Sequence, residues 1–84
     1  MMHYSARIHV MLKPTVNDPQ GNAVLGGLHT LGFERVQSVR VGKFLTLRLD
    51  ATDETEASKQ VGAMCEKLLA NTVIESYDVE ISLD

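Results

Sequence analysis

Residues 36–50, Val-Gln-Ser-Val-Arg-Val-Gly-Lys-Phe-Leu-Thr-Leu-Arg-Leu-Asp, decide how this chain folds. Val39, Val41, Leu45, Leu47 and Leu49 occupy odd positions, while Arg40, Thr46 and Arg48 occupy even ones. Side chains alternate across a strand, so this parity gathers the aliphatic set on one face. A two-residue hairpin turn at Gly42-Lys43 pairs Val41 with Phe44 and breaks the set, sending Val39 to the side of Thr46 and Arg48. A three-residue loop, Gly42 to Phe44, pairs Val41 with Leu45 and preserves it. One bent strand through Gly42 preserves it equally well. The pattern leaves both open, and the number of strands depends on the outcome.

The segments on either side are less ambiguous. Tyr4, Ala6, Ile8, Val10 and Leu12 alternate with Ser5, Arg7, His9, Met11 and Lys13, which predicts a half-buried strand ended by Pro14. Asp18-Pro19 then starts a helix, since Asp18 can accept from first-turn amides and Pro19 loses no bond at the first helical position. Val24, Leu25, Leu28 and Leu31 form its apolar stripe, and Gly32 suits a left-handed cap. Gly21, Gly26 and Gly27 lie inside that helix at a cost of about 1 kcal/mol each. Close approach of another backbone is the expected compensation.

After residue 50, Asp53 with Glu56 three residues on resembles a capping box, and the acidic first turn suits the helix dipole. Ala57, Val61, Met64, Cys65 and Leu68 keep helical spacing, and Ala70-Asn71 ends the helix with Asn71 suited to the left-handed cap. Tyr77, Val79, Ile81 and Leu83 alternate with Asp78, Glu80, Ser82 and Asp84 as a last strand. The order β-α-β(-β)-α-β predicts an α+β two-layer sandwich, with two helices on one face of a mainly antiparallel sheet, ferredoxin-like or a close variant. The other face then carries Arg7, His9, Met11, Thr46, Arg48, Asp78 and Glu80, with Phe44 beside them. The chain supplies too few helices to cover it.

Composition narrows the function. Hydrophobic residues make up 44% and charged residues 23%, which fits a packed core in one domain spanning residues 1–84. A domain of this size has little room for a cleft of its own, because ligand pockets occupy roughly 300–1,000 Å³. A net charge of −3 with scattered cations argues against nucleic-acid binding. No stretch approaches the roughly 20 apolar residues of a membrane span. The start of the chain lacks the pattern of a signal peptide, and the single cysteine, Cys65, makes no internal disulfide. A cytoplasmic location is expected.

The residues offer no self-contained active site. Gly21 to Gly26 has the glycine spacing of a phosphate loop, but Gly27-Leu28 stands where Lys and Ser or Thr are required. Cys65 lies on the apolar helix face without an elbow glycine, so it reads as a small buried hydrophobe. His3 and His9 are about 20 Å apart along an extended strand, and His29 sits on a helix flank, so no metal site is expected. Arg40-Val41-Gly42-Lys43 places two cations around a bend. That arrangement can meet a phosphate or an acidic patch of a partner, or it can be an ordinary solvated turn.

The motifs taken together resemble one family. Asp18-Pro19-Gln20-Gly21, Leu31-Gly32, Val36-x-x-Val39-Arg40-x-Gly42-Lys43, Cys65-Glu66-Lys67-Leu68-Leu69-Ala70-Asn71, Val73-Ile74-Glu75 and Tyr77 are similar to the PurS family in order and spacing along nearly the whole chain. Thr72 stands where the family commonly has proline, and Gly26-Gly27 replaces residues more often alanine-like. The resemblance implies a non-catalytic subunit of phosphoribosylformylglycinamidine (FGAM) synthase, a ligase of purine biosynthesis using glutamine as amide donor. That complex converts formylglycinamide ribonucleotide to its amidine with ATP and Mg, cofactors that the complex uses and this chain is not expected to bind. It further implies that the chain bridges a glutaminase subunit and a synthetase subunit and assists ammonia transfer between them. No catalytic residue and no metal ligand carries over. Arg40, Gly42 and Lys43 carry over as candidate partner-binding residues. The uncovered sheet face predicts a dimer or higher even oligomer. A second reading, a small effector-binding regulatory domain working as an oligomer, rests on fold analogy alone. A large thermal shift with one metabolite would favour it.

Overall fold

A computed structural model describes residues 1–84. Three strands, β1 (Met2–Leu12), β2 (Gly42–Ala51) and β3 (Glu75–Leu83), form one antiparallel sheet in the order β2-β1-β3. The stretch 36–50 therefore holds one strand and no hairpin, and residues 36–41 run outside the sheet as a connector. Gly42 is where pairing begins, opposite Met11. A Cβ there would lie 2.6 Å from the Val10 carbonyl oxygen and 2.1 Å from the Met11 sulfur, so glycine is needed for the close approach. Val41 turns its amide to the Asp18 carboxylate at 2.8 Å. That bond takes Val39 and Val41 away from the aliphatic ladder that their parity suggests.

Central placement makes β1 the spine of the core. Tyr4, Ala6, Ile8 and Val10 are buried on one face, flanked by half-buried Leu45, Leu47 and Leu49 of β2 and Tyr77, Val79 and Ile81 of β3. The opposite face is mixed in character, mostly polar with Met11 and Phe44 among its residues, as the alternation predicts. Its register sets Asp78, His9 and Phe44 in one row and Glu80, Arg7 and Thr46 in the next. Arg7 bonds Ser82 at 3.1 Å and lies 3.6 Å from Glu80, Arg48 pairs with Asp84, and the His9 and Phe44 rings stack at 4.5 Å. These cross-strand pairs satisfy a face that no helix of the chain covers.

The helix α2 (Glu54–Met64) packs Ala57 and Val61 on the core face and touches all three strands. Asp53 caps it through the Glu56 amide at 2.8 Å. The reciprocal half of the capping box is absent, because the Glu56 carboxylate accepts from Thr52 and Gln60 instead. Beyond Met64 the helix widens into a π-turn, Cys65–Leu69, closed by the Ala70 amide on the Cys65 carbonyl at 3.0 Å. A plain α-helix running to Asn71 was the expectation. The wider turn brings Cys65 and Ala70 to the same buried side while Leu68 points out. Asn71 has no left-handed backbone: its amide bonds Glu75 at 2.7 Å and its side chain accepts from Val73.

The helix α1 (Pro19–Thr30) forms as expected. Asp18 caps it through the Gly21 amide, Pro19 opens it, and Gly32 closes it at φ 99° with the Phe33 amide returning to the Leu28 carbonyl. Its location differs from the expectation of two helices on the sheet. Only α2 lies against the strands, and α1 makes no comparable contact with any other element. Gly21 alone of its glycines meets another backbone, while Gly26 and Gly27 face open space. Val24 is 44% exposed and Leu31 74%. The helix and residues 31–41 form an arm that leaves the sheet, so the molecule measures 52 × 26 × 14 Å. Its radius of gyration of 16.5 Å exceeds the roughly 12 Å of a compact domain this long.

Candidate functional site

The three residues singled out from sequence meet at the root of the arm, where β1, α1 and β2 converge. One Arg40 nitrogen donates to the carbonyls of Lys13 and Val16, each at 3.0 Å. Lys43 donates to the Leu69 carbonyl at 3.2 Å and lies 3.8 Å from a Glu75 oxygen. Gly42 sits between them against β1. The cations thus tie loops of their own chain together, an arrangement the bend alone did not reveal. A shallow depression of about 280 Å³ opens here, lined among others by Asp18, Gln20, Gly42, Lys43 and Glu75.

Two residues of this junction were not recognised as part of it from sequence. Asp18 reads as a helix cap, yet its second oxygen reaches Val41, twenty-three residues on, and it is 4% exposed. The bonds from Val41 and Gly21, with Arg40 nearby, hold its carboxyl below the usual carboxylate range. It stays charged at neutral pH. Glu75 lies ahead of the alternation that begins at Tyr77, and it joins Lys43 to the Asn71 amide. A Cβ on Gly21 would lie 2.3 Å from the Val39 oxygen, so the helix and the connector touch backbone to backbone. Neither long-range partner leaves a periodic signal in the sequence.

The other residues weighed for chemistry are dispersed. His3 bonds Asp50 at the sheet corner, His9 stacks on Phe44, and His29 meets the Val36 carbonyl at 2.8 Å. No three His, Cys, Asp or Glu side chains gather as a metal site, and no helix is long and apolar enough to cross a membrane. Cys65 is fully buried, and burial pushes its thiol above its ordinary value with Glu66 adding to the effect. That is the reverse of an activated nucleophile. Cys65→Ala should therefore cost about 1 kcal/mol of stability and leave support of any partner intact. Denaturant unfolding and partner assays check this, and loss of function in a folded, assembled variant would contradict it.

Comparison with known proteins agrees with the motif pattern. The family model for PurS, described as phosphoribosylformylglycinamidine (FGAM) synthase, matches residues 5–83. The PurS subunit of that synthase from Synechocystis is 53% identical over 94% of this chain and 79% of its own length. The Bacillus subtilis PurS subunit is 46% identical over 93% of this chain and 92% of its own. The solved B. subtilis PurS structure superposes with a TM-score of 0.86 at 46% identity, covering 94% of this chain and 98% of that one. A chain of the PurLQS structure from Thermotoga maritima superposes at 0.89 with 30% identity, covering 98% and 100%. The family model spans nearly every residue, and the solved relatives share the same sheet and helices, so the chain belongs to the PurS family.

Proposed function

We propose that the chain is a non-catalytic subunit of an FGAM synthase working in the cytoplasm, and that it acts by presenting surfaces rather than by chemistry of its own. The observation that carries this reading is an incomplete monomer. The chain exposes 5944 Å², whereas a compact folded chain of this mass exposes about 5,000 Å². The excess is comparable to the roughly 800 Å² that each partner buries in a standard interface. One helix covers a three-stranded sheet and the other stands away with an apolar stripe. A sheet short of a helix and a helix short of a sheet complete each other when two copies exchange α1. A reciprocal contact of this kind closes as a dimer.

In the synthase the chain bridges the glutaminase and synthetase subunits and shields ammonia passing between them. ATP and magnesium serve the synthetase reaction. Ammonia reaching water is protonated and lost as a nucleophile, so excluding water at the junction aids the reaction without a catalytic side chain. The segment Arg40–Lys43 contributes at the root of the arm on which assembly depends. Mixing the chain with the two partner subunits, glutamine and ATP tests the reading by size exclusion with light scattering. A single complex containing all three is expected. Separate elution of this chain at micromolar concentration would refute it.

A further inference from the structure

The arm, α1 with residues 31–41, is tied to the chain leaving β1 by hydrogen bonds concentrated at its root. Asp18 uses both carboxylate oxygens there, one on the Gly21 amide at 2.9 Å inside α1 and one on the Val41 amide at 2.8 Å just before β2. From the neighbouring position, Arg40 clasps the Lys13 and Val16 carbonyls on the chain leaving β1. The Gly21 contact with Val39 leaves no space for helix and connector to slide. At the far end, His29 fastens α1 to the returning connector of the arm, not to the sheet. Since α1 makes no comparable contact with the strands, these bonds set the direction in which it leaves, together with two more. The Asn22 side-chain amide donates to Asn17 at 3.1 Å, and the Lys13 amide donates to the Ile74 carbonyl at 2.8 Å.

We propose that Asp18 and Arg40 form a latch that fixes the pose of α1 relative to the sheet, and that Arg40 supports self-association by positioning this arm rather than by touching a partner. The inference rests on the exchange of α1 between copies described above. A pre-aimed helix pays less ordering entropy on docking than one swinging freely, so loosening the root weakens association without removing an interface atom. Asp18→Asn sets an amide donor against a backbone N–H, and Arg40→Ala frees two carbonyls. Arg40→Lys keeps a charged donor and restores part of the clasp.

Two measurements separate the possibilities. Amide exchange is read in a Leu28→Asp background, where association is removed, so that only the latch is probed. There Asp18→Asn and Arg40→Ala should each speed exchange at Gly21 and Val41 by roughly tenfold or more, while amides within β1 keep their protection. In the otherwise wild-type chain, sedimentation should show the same two variants associating about tenfold or more weakly, with Arg40→Lys recovering part of the loss. Weaker association of Arg40→Ala without faster exchange would make Arg40 a partner contact and overturn the latch. Association equal to wild type in both variants would overturn it as well. A wild-type chain that stays monomeric would instead reject the exchange of α1 on which the inference depends.

Discussion

Leaving this chain out of a reconstituted synthase should reduce glutamine-dependent amidine formation by roughly two orders of magnitude, while the rate with added ammonia stays close to unchanged. The two rates separate the roles. Free ammonia reaches the synthetase by diffusion, so that route needs no bridge. On the proposed reading, ammonia made from glutamine crosses from one subunit to another at a junction that this chain holds together. Misplacing reacting partners by even about 1 Å can cost a hundredfold, and here the donor site would be detached altogether. Cys65 does not account for the effect otherwise, because it is buried with a raised pKa. Rates with glutamine and with ammonia, measured at saturating ATP with and without the chain, check the expectation. Equal loss on both routes would instead point to a direct part in the synthetase reaction.

Leu28→Asp should abolish self-association yet leave the protomer folded. The residue lies on the apolar stripe of α1, half-buried by its own arm and out of contact with the core that α2 and β1 build. Its loss removes no core atom, so the protomer should lose only about 1 kcal/mol or less. At the seam between two copies the same carboxylate must be desolvated against aliphatic side chains, which costs about 3 kcal/mol or more, a weakening above roughly a hundredfold. A core change such as Val61→Asp acts in the opposite order, unfolding the protomer before any effect on assembly is seen. Circular dichroism with sedimentation distinguishes them. Unchanged association of Leu28→Asp would place the interface elsewhere.

The sequence made the local structure plain where one physical rule governs. Alternation in Tyr4–Leu12 and Tyr77–Leu83 found the strands and their faces, and Asp18-Pro19, Gly32 and Asp53 found the helix ends. It was silent where two segments compete for one residue. Val39 and Val41 carry the parity of a strand, but Asp18 takes the Val41 amide and Gly21 presses on Val39, so pairing waits until Gly42. The stripe of α1 announced that the helix must be covered without saying by what, because an apolar face reads the same whether its cover is its own sheet or another copy's. The π-turn was hidden for a similar reason, since Cys65 to Ala70 has helical composition and only the core decides which of its residues turn inward. At the candidate site, the two cations of Arg40–Lys43 were evident but their acceptors were not. Lys13, Val16 and Leu69 offer main-chain oxygens, which any residue type would supply.

Sedimentation equilibrium of the pure protein at micromolar concentration decides whether the protomer is incomplete by itself. A dimer or a higher even oligomer is expected. Monomer alone across the concentration range would contradict it.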